Sequence, residues 1–512
     1  MSTESTDELA TVAAGLRELA TKIGPIADAE QAPLWLCLDQ GGHASRAIVF
    51  DNTGRQVAQA FAPISTQHPA ADRVEHDPLE IVQSLRTVID DVAHTLGADM
   101  DRVQAAGLAT QRSSIVCWHA QTGEPLSPVL SWQDRRNAAL VASLETHRTE
   151  IQQLTGLMLS PHYGASKLRW CLDEISAVRT AQLEGHLHCG PLSSYLLQAL
   201  LVGHPHLVDP ANASRTLLWS PATGEWSPQL LQWFGVPGQC LPRNVPTLHT
   251  YGHLSVGSRL IPLNVCTGDQ AAVPFANGPL DAQNIYINMG TGAFALAPLA
   301  TDREQAAPLL RSVLCSTAKV PTFALEATVN GAGSALQWLA DHSGIDVQRS
   351  MRALRRHHVL GLHDDIPIFI NGIGGLGSPY WLPNVGSRFI APAHRPIDSD
   401  LGQVVALLES IAFLLAANIE LMRRQLSDLA NIVIGGGLSA CDYLCECIAD
   451  LTQLPVTRLR EKELTAKGLA YLVAGEPSIW LRDMHTKQFM PGAHPALQQR
   501  QARWLEQMER LH

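Results

Sequence analysis

The chain has 512 residues, is 46% hydrophobic, and sets 37 Lys plus Arg against 48 Asp plus Glu for a net charge of -11. That apolar content can bury a large core in two domains and excludes a disordered chain or a small disulfide-stapled scaffold. No basic run is longer than two residues and no window approaches eighteen apolar residues, so neither nucleic acid nor a membrane is expected as a partner. The acidic start around Glu4, Asp7 and Glu8 does not read as a signal peptide, and a cytoplasmic location is expected.

Residues 4–23 place Leu9, Val12, Ala13, Leu16, Leu19 and Ala20 on one helical face ahead of Gly24 and Pro25, which predicts an accessory helix. Residues 34–54 run from an apolar stretch through Asp39, Gly41 and Gly42 into a second apolar stretch: strand, tight turn, strand, with Asp39 at the tip. Asp39 is either a turn former or a functional carboxylate, and two glycines alone are a weak phosphate-loop signal. Residues 57–61 extend this sheet. A helix over 79–96 follows, with Asp77 as its cap and Pro78 suited to its first position. A buried strand over 103–108 leads to Gln111, Arg112 and Ser113, and a further strand over 115–118 precedes the run from Trp132 to Arg136.

The middle of the chain is mostly helical, through Lys167 and Trp170 and again over 193–201, and then loops through Asn212 and Arg215. A strand over 260–265 ends on Gly268, Asp269 and Gln270, which open a short helix. The opening pattern then recurs: a strand over 284–288, a turn at Gly290, Thr291 and Gly292, and a returning strand over 293–299. Two halves that begin alike predict a duplicated α/β fold with a ligand between them. Small residues at Gly331 and Gly333 open a helix, 368–371 is a short strand, and a long helix spans 401–426. The strand over 432–434 runs into Gly435, Gly436 and Gly437, an arrangement that suits an anion or nucleotide when a helix follows. Of the ten cysteines only Cys441, Cys445 and Cys447 lie close together, without a nearby histidine, and they read as buried thiols in preference to zinc ligands.

In this order, the stretches around Asp39 to Asp51, Glu75 to Pro78, Gln111-Arg112, Gly123 to Leu126, Trp132 to Arg136, Asn212 to Thr216, Gly268 to Gln270, Gly290 to Gly292 and Gly375 to Trp381 resemble the FGGY carbohydrate kinases, most closely their glycerol kinase branch. Each motif is weak singly, whereas their joint order over residues 35–480 is specific. The resemblance implies an α/β chain of two ribonuclease-H-like domains of the hexokinase and actin superfamily, with an interdomain cleft. It divides the chain into a 1–31 accessory helix, a 32–278 sugar- or polyol-binding domain, a 279–482 nucleotide-binding domain and a 483–512 tail helix. It also implies ATP and Mg2+ as cofactors, a small polyol or sugar as substrate, and leaves a homodimer or homotetramer open.

Phosphoryl transfer to an alcohol needs a base, a bridging cation and donors for the charge that spreads over oxygen. By resemblance Asp269 is the base, with helix cap as its alternative, and Gln270 adjoins it on the substrate. Asp39 holds magnesium through water. Gly290, Thr291 and Gly292 donate to phosphate, and Gly333, Leu336, Gln337, Gly437 and Cys441 line the adenine and ribose pocket, with helix packing the alternative for Leu336 and Gln337. Arg112, Trp132, His162 and Phe294 surround the acceptor, with His162 alternatively an ordinary surface residue. Two departures bear on both ligands. Where the family has glutamate after the arginine, this chain has Ser113, which makes glycerol a doubtful acceptor and a longer polyol or ketose a better one. Where it has three hydroxyls after the first glycine, this chain has Gly42, His43 and Ala44, so that Gly41, Gly42, His43, Ser45 and Arg46 must serve the phosphate. A degenerate kinase that binds ligand without turnover is the alternative reading.

Overall fold

The computed structural model describes residues 32–299, 308–317, 321–356, 366–391, 399–481 and 486–511. The helix expected over residues 4–23 lies outside them.

The first half is built on β1 (Leu34–Gln40), β2 (Ala44–Phe50), β3 (Gln56–Pro63), β4 (Val103–Thr110), β5 (Leu201–Val202), β6 (Leu248–Val256) and β7 (Arg259–Gly268), in the order β5-β6-β7-β4-β1-β2-β3. The second half uses β8 (Asn284–Met289), β9 (Ala293–Pro298), β10 (Leu310–Ser316), β11 (Pro321–Val329), β12 (Asn431–Gly435), β13 (Val456–Leu459) and β14 (Thr486–Phe489), in the order β10-β11-β9-β8-β12-β13-β14. Each sheet contains the same five-stranded unit. An antiparallel meander, β1-β2-β3 or β8-β9-β11, is continued from its first strand by two parallel strands, β4 and β7 or β12 and β13. This is the duplicated ribonuclease-H-like architecture that the resemblance implied. A five-stranded sheet that includes Arg73–His76, Ile115–His119 and Leu187–Pro191 adds a lobe to the first half.

Sequence explains the main helices. In α1 (Pro78–Leu96) Asp77 accepts from the Leu79 amide, Pro78 occupies the first turn, and Ile81, Leu85, Val88 and Val92 form the buried stripe. Further on come α2 (Gly333–Ser343), α3 (Asp400–Gln425), α4 (Leu464–Val473) and α5 (Pro495–Glu509). Contrary to the expectation that no apolar window approaches eighteen residues, helix α3 is the one described helix long and apolar enough to cross a membrane; 83% of its most apolar window is buried, and it is the core helix of the second half. The polar-looking α5 contributes Leu497, Trp504 and Met508 to the same core, and its buried Arg500 pairs with Glu409 on α3 at 2.6 Å. After the three glycines the chain makes a short 3-10 turn, Gly437–Ala440, before helix Asp442–Thr452, so Cys441 caps that helix from outside. All ten cysteines are buried and none forms a disulfide.

The two halves share an apolar seam. Helix α4 of the second half packs on β1 and β4 of the first, and Leu469, Ala470 and Val473 meet Cys37, Ala105 and Val265. Two glycines permit this approach: a Cβ on Gly468 would stand 1.9 Å from the Ala272 carbonyl oxygen, and one on Gly107 would stand 2.6 Å from Val473. Trp480 clamps the rim, its Nε1 donating to the Asn52 carbonyl at 2.9 Å.

Candidate active site

The first wall of the cleft is the β1-β2 hairpin, closed by the Gly41 amide on the Ala44 carbonyl at 2.9 Å. It leaves Asp39 at the end of β1 with only 7% of its surface exposed. Arg46 Nη1 stands 3.7 Å from Asp39, and Arg46 Nε stands 3.6 Å from Glu463 at the start of α4, so one guanidinium faces a carboxylate from each half. Burial pushes the Asp39 carboxyl up to about 7; Arg46 opposes the rise, and Asp269 and Glu463 add to it. Gly42 lies on the indole of Trp132, where a Cβ would sit 3.5 Å from Nε1. A chain of hydrogen bonds ties these pieces: Gln111 Nε2 donates to Gln40 Oε1 at 3.2 Å, Ser114 Oγ to Gln111 Oε1 at 2.9 Å, and the Trp132 amide to Ser114 Oγ at 3.0 Å. His43 is exposed at the turn. Ser45, expected to face phosphate, is not at the loop: it is fully buried, with its hydroxyl 2.8 Å from that of Ser84 on α1, because alternation along β2 turns it into the sheet-helix seam.

Arg112 lies at the centre of the acceptor side. Its Nη1 and Nη2 donate to Glu326 Oε2 and Oε1 at 2.9 and 3.1 Å, its Nε is 3.8 Å from Asp269, and its guanidinium lies 6.0 Å from the centroid of Phe294. Glu326 comes from β11 in the opposite half, so a carboxylate reaches Arg112 from across the cleft. Two guanidiniums outweigh its burial and hold its carboxyl at about 2. Ser113 itself is buried with φ 65°, and its hydroxyl has no hydrogen-bond partner. Its carbonyl and that of Ser131 accept from the buried Lys167 Nζ at 3.0 and 2.7 Å. Burial brings that ammonium down to about 7, with Asp134 opposing. His162 sits edge-on to Trp132, ring centroids 5.9 Å apart, which places it with the acceptor residues and not on the open surface. Burial, then the charges of Lys167, Arg135, Arg215 and Arg112, keep it neutral by lowering its pKa well below the ordinary value.

Asp269 opens the helical turn Asp269–Ala272 at the end of β7. Its Oδ1 accepts from the Gln270 amide at 2.7 Å, and Gln270 Oε1 in turn accepts from Asn288 Nδ2 on β8 at 3.0 Å. Burial raises the Asp269 carboxyl, while Arg112 and Gln270 oppose the rise. Across the cleft, the turn at Gly290, Thr291 and Gly292 rests on the start of α2. The Gly333 amide donates to the Gly290 carbonyl at 2.9 Å, and the Ala332 and Ser334 amides to the Thr291 carbonyl at 3.0 and 3.1 Å. A Cβ on Gly333 would stand 2.7 Å from the Gly290 oxygen. Leu336 packs partly on the second core, Gln337 is exposed and donates to Asp341 at 2.8 Å, and Cys441 is buried. Gly437 faces open space.

Glu326, Arg215, Gln40, Asn288 and Glu463 were not assigned to the site from the sequence. Arg215 belongs to the quoted Asn212–Thr216 stretch, which was its available signal. Glu326 sits in the apolar run of β11, where a lone carboxylate among buried residues is itself a pointer.

The description "FGGY family of carbohydrate kinases, N-terminal domain" matches residues 34–286, and its C-terminal counterpart matches 285–475. A glycerol kinase of Leptothrix cholodnii is 33% identical over 458 residues, 85% of this chain and 89% of that protein. One of Ralstonia pickettii is 34% identical over 469 residues, 88% and 90% of the two chains. Among solved structures, Plasmodium falciparum glycerol kinase with ADP superposes with a TM-score of 0.83 at 22% identity, covering 94% of this chain and 98% of that one. A ligand-bound xylulose kinase from Lactobacillus acidophilus gives 0.80 at 17% identity, with 94% and 98% covered.

Proposed function

The chain belongs to the FGGY family of carbohydrate kinases, a phosphotransferase with an alcohol group as acceptor, and we propose that it moves the γ-phosphoryl group of ATP to a hydroxyl of a small polyol or sugar other than glycerol. The observation that carries this reading is the meeting of Asp269 and Arg112, 3.8 Å apart, with Phe294 from the other half. Asp269 is the base: burial lifts its carboxyl toward working pH, where a base is most effective, and the Gln270 amide and Arg112 fix its orientation. Arg112, Trp132, His162 and Phe294 orient the acceptor. The neutral His162 and the unbonded Ser113 hydroxyl supply uncharged partners where a carboxylate would have bound glycerol.

On the donor side, the Gly41-Gly42 and Gly290–Gly292 turns line the phosphate, with His43 and Arg46 at the rim; the Gly41, Gly290 and Gly333 amides are spent on the Ala44, Gly292 and Gly290 carbonyls, so the Gly42 and Thr291 amides are the donors. Gly437 leaves room for adenine. The donor set suits magnesium, since Asp39 is a nearly buried carboxylate with Asp269 and Glu463 as neighbours. A hard cation of this kind keeps several waters and needs one or two carboxylates plus phosphate oxygens. Bound there, magnesium would neutralise charge between the phosphates. Nothing in the comparisons supports binding without turnover.

The test is a panel of polyols, ketoses and glycerol assayed by coupled ADP release with ATP and magnesium. Turnover that prefers an acceptor larger than glycerol is expected. Preference for glycerol over every larger acceptor refutes the substrate assignment, and absence of ADP release with all of them refutes the kinase.

A further inference from the structure

We infer that Glu326 is a positioning residue for the acceptor site, clasping Arg112 and Arg215 of the first half from a strand of the second, so that Arg112 takes its working orientation only when the cleft is closed. The activity part of this inference rests on the kinase reading; the clasp itself does not.

Glu326 lies mid-strand in β11, opposite Leu296 of β9 and Leu310 of β10, with no exposed surface. Arg112 donates one hydrogen bond to each Glu326 carboxylate oxygen, and Oε2 also accepts from Arg215 Nη2 and from Ser312 Oγ, the latter at 2.7 Å. Three of these four donors converge on Oε2 and one on Oε1, and with no exposed surface Glu326 meets the arginines and Ser312, so it acts through the arginines. Ser312 is on β10, in the same half as Glu326, and Arg215 Nη2 also donates to its hydroxyl at 2.6 Å. The arrangement therefore alternates in sign across the cleft: Asp269 and Arg112 from one wall, Glu326 from the other, and Arg215 again from the first.

Opening the cleft would withdraw the counter-charge that Arg112 and Arg215 share and leave the two guanidiniums repelling one another, moderated only by water and by Asp269 beside Arg112. Closure removes that repulsion and fixes Arg112 by a two-point fork, the geometry that gives a guanidinium a single orientation. Because residue 113 is serine, no neighbouring carboxylate on Arg112's own loop does this. Arg112 is thereby oriented by the half that carries the phosphate turn at Gly290–Gly292, which couples acceptor positioning to closure.

Two variants test the inference, E326Q and Ser312→Ala, each measured by acceptor kcat/KM, ATP KM, and hydrogen exchange at residues 209–216. For E326Q the expected result is a loss of about ten- to 150-fold in acceptor kcat/KM, the scale of a hydrogen bond to a charged group. ATP KM should stay within about threefold, and exchange at residues 209–216 should accelerate by about tenfold or more, as expected when a local closing contact is lost. Ser312→Ala leaves both ion pairs and should lose about two- to tenfold in acceptor kcat/KM, the worth of one ordinary hydrogen bond, so it decides the matter if E326Q does not fold. A role in stability alone would lower the folded fraction and leave the ratio of acceptor kcat/KM to ATP KM unchanged per folded molecule. Folded variants with wild-type acceptor kcat/KM and wild-type exchange overturn the clasp. If the wild type releases no ADP with any acceptor, the kinase reading fails and the exchange comparison still decides the clasp.

Discussion

Gly268→Ala is the smallest change that should disable the acceptor site from behind. The glycine precedes Asp269 with φ -81° and ψ 148°, a conformation that alanine adopts without strain, so the backbone has no reason to object. The added methyl, however, would stand 2.6 Å from both Cγ and Cδ of Arg112, whose stem crosses the glycine. Carbon atoms pack at about 3.5–4.0 Å, so the stem must retreat by about 1 Å. The Arg112-Glu326 bonds, now 2.9 and 3.1 Å, then lengthen toward 4 Å, beyond hydrogen-bonding distance. Loss of one such charge-assisted bond is worth about 1.5–3 kcal/mol, and a misplacement of about 1 Å can by itself cost about a hundredfold in rate. The expected outcome is a fall of about thirty- to 150-fold in acceptor kcat/KM with little change in ATP KM. Gly386→Ala, where a Cβ meets nothing within 4 Å, serves as the control and should match wild type. Coupled ADP release at varied acceptor gives kcat/KM, and thermal melting confirms that both variants fold. A folded Gly268→Ala enzyme within about threefold of the wild-type kcat/KM would refute the account of Arg112, since the same methyl cannot be accommodated without moving it.

Asp269→Asn should reduce turnover by at least about a hundredfold while acceptor affinity by calorimetry stays within about tenfold, because a lost base acts on the transition state; retention of more than about a tenth of the rate would assign the base elsewhere. Ser113→Glu should raise kcat/KM for glycerol relative to larger polyols by restoring a carboxylate beside Arg112, and an unchanged ratio in the acceptor panel would show that residue 113 does not set specificity. Stability should also depend on the stacked pair His188 and His206, whose ring centroids are 3.5 Å apart. Burial, reinforced by His188, pushes His206 down to about 3, whereas an unfolded histidine titrates near 6.5. Between those values the unfolded chain binds a proton that the fold refuses, so stability is full above about pH 6.5 and falls as pH drops toward 3, by on the order of 2 kcal/mol from pH 7 to pH 5. His206→Phe should flatten that slope in urea midpoints measured at the two pH values; an identical slope would place the proton uptake in another group.

The local elements were legible because their causes are local. The hairpin with Asp39 at its tip, the Asp77-Pro78 start of α1, the strand ending on Asp269 and the second glycine turn at 290–292 each follow from apolar periodicity interrupted by Gly, Pro or a capping side chain. The recurrence of strand, turn and strand also marks two alike halves, since both meanders write the same pattern. Strands β6, β10 and β11 escaped notice although β6 pairs with its sequence neighbour β7 and β10 with β11, because β6 is interrupted by Gly252 and two histidines and β11, buried along nearly its whole length, shows no alternation.

What tertiary structure alone decided is which side chains meet. Sequence order puts Arg112 beside Ser113 and 214 positions from Glu326, and no spacing rule predicts that the distant carboxylate becomes its partner. Likewise Ser45 lies among the phosphate-loop residues in sequence, yet the pleat of β2 turns its hydroxyl onto Ser84. The α5 sequence looks like a polar tail, but Trp504 and Arg500 find an apolar core and a buried carboxylate only because α3 passes beneath them. Residue types and their periodicity determine secondary structure and the kinds of chemistry a chain can carry, because those depend on short-range sterics and on alternating burial. Charge pairing across a cleft depends on through-space distance in a low-dielectric interior, and that distance exists only after both halves have folded and closed.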